Sequence, residues 1–286
     1  MRSLLFVPGH DERKLEKALG CGADALILDL EDAVPMAGKA RARELAAAFV
    51  ARHRDRHRLF VRVNALDTGL TLQDLAAVAG ARPEGIMLPK CSGAGALGRM
   101  DAYLEALEVR EGLAPGGIRV LPIVTEHAAA VLNMGEYARA ASPRLCGMLW
   151  GGEDLATDVG ARSNREASGE YTALFRLARS MALLGAAAAR VAPIDAVYTD
   201  FRDPEGLRAE AAAARRDGFT AKAAIHPDQV AVINAVFEPS EQELDWARRV
   251  LAAFEAAPGA GSVSLDGRML DRPHQLAARR LLDGAK

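Results

Sequence analysis

The stretch LILDLEDAVP (26–35) carries an apolar run into three acids within four positions, Asp29, Glu31 and Asp32. Close carboxylates repel, and one of them takes up a proton unless a cation relieves the cluster. Two candidate cations close other apolar runs: Arg62 in FVRVN and Lys90 in MLPK. Polar groups end the remaining runs as well: Pro8-Gly9, Glu126, Glu153-Asp154, Asp200 and His226. Collected around one pocket, such a ring could hold a hard cation, steady a developing oxyanion through the forked donors of an arginine, and move protons.

Positioning these groups requires a scaffold that brings many strand ends to one rim. Strand candidates fall at 3–9, 25–32, 59–64, 85–90, 119–126, 146–154, 194–200 and 221–227. Between them lie Ala/Leu/Arg/Glu stretches with helical spacing, at 11–20, 38–52, 72–79, 94–112, 127–139, 169–189 and 204–216. Strands apolar on both faces suit a parallel sheet covered by helices. Eight alternating units predict an α/β fold, a TIM (β/α)8 barrel with a C-terminal helical extension, whose chemistry sits at the strand C-termini. An open doubly wound sheet is the alternative, but no Gly-rich dinucleotide turn follows the first strand. Residues 1–237 form the expected barrel and 238–286 the extension and lid. Within the latter, Ser240 ahead of Glu243 reads as a capping box opening a helix over 240–256. APGAGSVSLDG (257–267) reads as a mobile linker, and 273–283 as a closing helix.

Composition narrows the function classes. The chain has 286 residues, 26% charged, with a formal net charge of -2, which gives no electrostatic footprint for nucleic acid. No apolar run reaches the roughly 20 residues that span a bilayer, and the N-terminus lacks a signal layout. Cys21, Cys91 and Cys146 show neither metal-ligand nor redox spacing. A cytoplasmic protein is the expectation.

Taken together, RSLLFVPG, ADALILDLEDAV, KARARE, VRVN, MLPK, WGGEDLATDVG, DGFTAKAAIHPDQV and GRMLD run in order from residue 2 to about 272. In that set the sequence resembles the citrate lyase beta-subunit-like enzymes of the HpcH/HpaI aldolase group. The resemblance implies a TIM barrel and a divalent metal, usually Mg2+. It also implies cleavage or formation of a carbon–carbon bond in a 3-hydroxyacyl-CoA thioester such as citryl-, citramalyl- or malyl-CoA, with acyl-CoA and a keto acid as partners.

By the same resemblance Glu126 and Asp154 are the metal ligands, on adjacent strands, while Glu31 and Asp32 hold the metal's waters and orient the basic residues. Arg62 clamps a substrate carboxylate or keto oxygen. Lys39 reaches the thioester or diphosphate, and Pro8 and Gly9 pass close to coenzyme A. Gly151 and Gly152 approach the carboxylate of the keto fragment. Asp271 arrives from a neighbouring subunit's C-terminal lid to handle the proton on the acetyl carbon, which implies a homotrimer or a multiple of it. Asp29 is expected to pair with a strand neighbour or with Lys90, and His226 to shape the end of strand eight.

The chain departs from the family pattern at His127, at Ala221-Lys222 and after Lys90, positions bordering the acyl pocket, so these bear on substrate identity. Alternatives within enzymes are the beta subunit of a multi-subunit citrate lyase acting on an acyl-carrier-protein thioester, and a pyruvate aldolase of the same fold. Outside enzymes, an idle coenzyme A-binding scaffold is the rival.

Overall fold

Eight short strands pair in parallel: β1 (Ser3–Pro8), β2 (Ala25–Asp29), β3 (Leu59–Arg62), β4 (Gly85–Leu88), β5 (Arg119–Pro122), β6 (Gly147–Leu149), β7 (Ala192–Asp195) and β8 (Ala221–Ala224). Their spatial order is β5-β4-β3-β2-β1-β8-β7-β6. The two ends of that series meet: isolated parallel bridges join Val120 to Leu145 and Ile123 to Leu149. The sheet therefore closes into the expected (β/α)8 barrel, with a seam of sparse pairing between β5 and β6. This computed structural model describes residues 1–140 and 142–284.

Alternation along each strand sorts its residues. Leu4, Ile27, Phe60, Met87, Leu121, Leu149 and Ile194 form one buried cluster with Ala221 and Ala223. Small residues make room for large ones there. A Cβ on Gly85 would stand 2.7 Å from the Phe60 ring, so that glycine is the space the ring occupies.

The helices on the outside are α1 (Glu12–Ala18), α2 (Lys39–His53), α3 (Thr71–Val78), α4 (Ala94–Arg110), α5 (Ala128–Leu132), α6 (Glu153–Asp158), α7 (Ala173–Ala189), α8 (Pro204–Asp217) and α9 (Pro227–Phe237). Their starts obey local chemistry. Asp11 caps α1 through the Lys14 N–H, and Asp203 caps α8 ahead of Pro204.

The chain divides into two compact units, Met1–Asn234 and Ala235–Lys286. In the second, α10 (Glu241–Glu255) opens with the capping box read from the sequence: the Glu243 N–H donates to Ser240 Oγ, and the Ser240 N–H to Glu243 Oε2. The expected linker is instead partly ordered as an antiparallel hairpin, β9 (Ser262–Leu265) and β10 (Arg268–Asp271). Asp266 and Gly267 turn it with φ of 53° and 73°, the two positive angles that a tight hairpin turn favours. The helix α11 (Arg272–Gly284) follows, and Val250, Phe254, Leu270 and Ala278 share this unit's core. No described helix is long and apolar enough to cross a membrane, and the three cysteines are free.

Candidate active site

Register decides which charges meet. Asp29 and Arg62 are paired positions of β2 and β3. Arg62 donates from Nε to Asp29 Oδ1 at 2.8 Å and from Nη2 to Oδ2 at 2.7 Å. The same carboxylate accepts the N–H groups of Glu31 and Ala33, so it also folds the loop after β2. Burial would raise the Asp29 pKa, but the Arg62 guanidinium overrides it and holds the carboxyl below its usual range. Of the two partners expected for Asp29, the structure selects the strand neighbour.

Arg62 has more than one partner. Its Nη1 lies 3.2 Å from Glu31 Oε2 and 3.8 Å from Asp32 Oδ2, and its guanidinium stacks 4.9 Å from the centre of the Phe6 ring. Glu31 takes a second cation at its other oxygen, where Lys90 Nζ donates at 2.7 Å. Burial nonetheless raises the Glu31 pKa against both cations, and its Oε2 is buried without a hydrogen bond.

Lys90 joins the acids. Its backbone N–H donates to Glu126 Oε2, and its ammonium stands 3.7 Å from Asp154 Oδ1. The residue adopts φ of 51°, a left-handed conformation that costs an ordinary side chain about 1 kcal/mol or more. Burial, with Glu31 and Asp154 nearby, pushes Glu126 up to about 8 despite the Lys90 N–H.

Glu126 and Asp154 flank the barrel seam. Neither is on a strand: Glu126 follows β5 in a loop, and Asp154 lies in the first turn of α6, which corrects the strand-end placement expected for both. The two loops are stitched by Thr125, whose Oγ1 donates to the Gly151 carbonyl and accepts the Gly151 N–H, each at 2.8 Å. A Cβ on Gly151 would lie 3.4 Å from Glu126 Cγ, so the glycine brings backbone against the acid.

Pro8, Asp32, Arg62, Glu126, Gly151, Gly152 and Asp154 all line one cavity of about 490 Å³ at the strand C-termini. Phe6, Trp150 and Tyr171 supply its aromatic wall, a contribution that the sequence reading did not anticipate. Lys90, the second candidate cation, links Glu31, Glu126 and Asp154.

Lys39, Gly9 and Asp271 each have partners of their own. Lys39 is buried, with Nζ donating to the carbonyls of Leu30 at 2.6 Å and Glu31 at 2.7 Å, so it braces the acidic loop instead of reaching outward. Gly9 packs against β2: its N–H donates to the Asp29 carbonyl at 2.8 Å, and a Cβ would stand 2.7 Å from that oxygen. Asp271 belongs to the C-terminal unit, where its carboxylate lies 2.6 Å from His274 Nδ1 and its side chain is 47% exposed. His226 stacks on Phe201 and accepts the Asp228 N–H at the start of α9, and His127 caps α5 through the Ala130 N–H.

The residues present fit a magnesium ion. One ammonium, that of Lys90, is shared between Glu31 and Asp154, and burial holds Glu126 beside them up to about 8, a condition that a bound cation would relieve. Among the described residues no cluster of three or more His, Cys, Asp or Glu is arranged as a closed metal cage. Magnesium needs none, since it keeps several waters and is held by one or two carboxylates. Glu126 and Asp154 are the pair that this reading assigns to it.

Comparison with known proteins places this geometry. The chain is 41% identical to a (3S)-malyl-CoA thioesterase of Cereibacter sphaeroides over all of its length and 94% of the relative's. It is 34% identical to the citrate lyase subunit beta of Leuconostoc mesenteroides subsp. cremoris, over 98% of this chain and 92% of that one. Its fold matches the crystal structure of protein CitE from Mycobacterium tuberculosis in complex with magnesium, acetoacetate and coenzyme A. The TM-score is 0.78 at 36% identity, covering 99% and 97% of the two chains. A model of the HpcH/HpaI aldolase/citrate lyase family matches residues 2–227, and the chain belongs to that family.

Proposed function

We propose that this cavity makes or breaks the carbon–carbon bond of a 3-hydroxyacyl-CoA thioester such as citryl-, citramalyl- or malyl-CoA, interconverting it with an acyl-CoA and a keto acid. The observation that carries the reading is the ring of Glu31, Glu126 and Asp154 around Lys90, with Arg62 beside it. Magnesium bound by Glu126 and Asp154 supplies a Lewis acid at the oxygen of the departing keto group.

The chain's own groups do the rest. Arg62, aimed by Asp29, donates to the oxygen on which charge develops. Glu31 and Asp32 orient Arg62 and order solvent at the acid cluster. The backbone at Gly151 and Gly152 approaches the carboxylate of the keto fragment, and the turn at Pro8-Gly9 borders the coenzyme. Asp271, from the C-terminal unit of a neighbouring copy, handles the proton on the acetyl carbon. The protein works in the cytoplasm as a homotrimer or a multiple of it. Leu174, Leu177 and Leu184 on the outer face of α7 support assembly, being 45%, 57% and 65% exposed.

A second reading is favoured by the relatives named for a thioesterase: hydrolysis of the same thioester to a hydroxy acid and free coenzyme A. One experiment separates the two. The purified protein is incubated with magnesium and a panel of hydroxyacyl-CoA thioesters, following keto acid, acyl-CoA and free thiol together. Keto acid with acyl-CoA, lost in Arg62→Ala and Glu126→Gln, is the expected result. Free thiol without keto acid selects hydrolysis, and no turnover of any thioester refutes the proposal.

A further inference from the structure

Behind the aromatic wall of the cavity runs a buried polar circuit that none of the chemistry above uses. Trp150 donates from Nε1 to Asp195 Oδ1 at 2.7 Å. The other Asp195 oxygen accepts from Lys222 Nζ at 2.7 Å, and the same ammonium donates to Glu210 Oε1 at 2.8 Å. Glu210 Oε2 lies 2.8 Å from Arg165 Nη2, which also donates to the Tyr171 hydroxyl at 2.9 Å. The Arg165 guanidinium sits 4.0 Å from the centre of the Tyr171 ring, and the Tyr171 and Trp150 rings meet edge to face at 4.9 Å. The chain of contacts thus returns to its starting residue.

Only the two aromatic members line the cavity; Asp195, Lys222, Glu210 and Arg165 do not. The charges are costly where they stand, since the side chains of Lys222 and Asp195 are 0% and 1% exposed. A buried ion network of this kind is often no more stabilising than apolar residues of the same volume. What it does supply is direction. Lys222 and Asp195 are paired positions of β8 and β7, so the sheet fixes the point from which the Trp150 indole is held. The indole in turn backs the loop after β6, where a Cβ on Gly152 would stand 3.2 Å from it.

The geometry points to Arg165, Glu210, Lys222 and Asp195 as positioning residues that lock Trp150 and Tyr171 into a rigid wall, and to that wall as the element limiting the size of the keto fragment. It rests on the functional reading above, in which Gly151 and Gly152, next to Trp150 in the chain, receive that fragment. The substrate class selected is a thioester whose hydroxyl-bearing carbon has a small substituent.

Arg165 is the member to alter, because it is partly exposed on a loop, at 22% of its side chain, and closes the circuit at Tyr171. Two variants, Arg165→Met and Arg165→Lys, are compared with the parent in a Trp246→Phe background, which leaves Trp150 as the only indole. The first readout is acrylamide quenching of Trp150. The second is the ratio of kcat/KM for malyl-CoA over citramalyl-CoA, which differ by one methyl at the hydroxyl-bearing carbon. Arg165→Met is expected to raise quenching and to reduce discrimination by roughly tenfold, the usual worth of one methyl group in a tight pocket. Arg165→Lys, which keeps the charge, is expected to restore most of both.

General destabilisation would lower turnover of both thioesters alike and leave their ratio unchanged. A parent that does not discriminate, or an Arg165→Met variant with unchanged ratio or unchanged quenching, overturns the inference. A parent that cleaves citryl-CoA but neither of these two overturns the inference, since the citryl substituent is the larger; if it cleaves none of the three, the functional reading fails, and the quenching comparison alone then decides whether the circuit holds the wall.

Discussion

Replacing Asp29 by asparagine isolates the contact that aims Arg62. The carboxylate accepts four donors: Arg62 Nε and the Glu31 N–H at Oδ1, and Arg62 Nη2 and the Ala33 N–H at Oδ2. Asparagine keeps the shape but turns one oxygen into an NH2 group, which then faces two donors. The side chains are 3% and 12% exposed for Asp29 and Arg62, so the pair is buried. Removing one charge of a buried pair costs about 3–5 kcal/mol. Glu31 and Asp32 remain within 3.2 and 3.8 Å of Arg62 and soften the loss, which places the expected cost near ~3 kcal/mol. For a unit of this size that lowers Tm by roughly 6–12 °C.

Turnover should fall further than stability alone explains. Loss of one aligned oxyanion donor costs about a hundred- to a thousandfold in kcat, and Asp29→Asn misaligns such a donor without deleting it, so a hundredfold drop with KM little changed is the expectation. The depressed pKa of Asp29 adds a pH signature. Its stabilisation is present above the ordinary carboxylate value and vanishes as pH falls through the lowered folded value, so the two proteins should converge in stability below pH ~4. Thermal unfolding across pH and steady-state kinetics at neutral pH measure all three quantities. Asp32→Asn is the control for stability: that side chain is 62% exposed, and its Tm should shift by no more than about 0.5 kcal/mol implies. Parental Tm and kcat in Asp29→Asn would falsify the claim that this carboxylate holds Arg62.

Glu126→Gln should abolish the rise in Tm that magnesium gives the parent, and titration calorimetry should show no heat of binding; an unchanged rise removes Glu126 from the metal site. At the other end of the barrel, Glu108 accepts from Arg144 Nη1 at 2.8 Å and Nη2 at 2.6 Å, with side chains 0% and 5% exposed. Glu108→Gln should therefore cost about 3 kcal/mol in urea unfolding while kcat stays within about twofold, and a selective loss of kcat would contradict the division between the two barrel ends. Stability of the parent should fall as pH drops below ~4, because burial is outweighed at Asp29, Glu108 and Asp195 by cations that hold their carboxyls low; a urea midpoint unchanged down to pH 3 would count against that. Gly9→Ala should lose about 1–3 kcal/mol, since its Cβ would meet the Asp29 carbonyl at 2.7 Å, and a crystal structure of a fully stable variant would have to show β1 displaced.

How far the sequence reaches is clearest at the strand ends. Apolar runs stopping in Asp29, Arg62 and Lys90 were enough to place those residues on one rim, because a parallel barrel sends every strand C-terminus to the same face. The partner of each charge was not legible. Asp29 meets Arg62 because β2 and β3 pair in one register, and a slip of one residue would have turned the two side chains to opposite faces. Lys39 defeated the reading for a related reason: nothing in the KARARE stretch says that its ammonium turns back to the Leu30 and Glu31 carbonyls. Asp154 was assigned to a strand because MLWGGED continues an apolar run, whereas β6 stops at Leu149 and the acid starts a helix. The Asp266-Gly267 hairpin was missed for a different reason. Its dipeptide is a turn signal that the surrounding Gly and Ser obscured.

Several positions that break local rules converge on the cavity. Lys90 adopts a backbone conformation suited to glycine, Glu126 and Glu31 are buried acids with raised pKa, and the β5–β6 seam has isolated bridges in place of a continuous ladder. Each is a cost to folding taken alone. Together they have one outcome, because the left-handed turn at Lys90 is what lets a single residue give its N–H to Glu126 and its ammonium to Glu31 and Asp154. The sparse seam leaves the loops carrying Glu126 and Asp154 joined through the Thr125 hydroxyl and free of a rigid ladder. Arg82 and Arg190 are left-handed too, but each caps the C-terminus of a helical segment, an ordinary use of that conformation, whereas the strain at Lys90 serves the acids of the cavity.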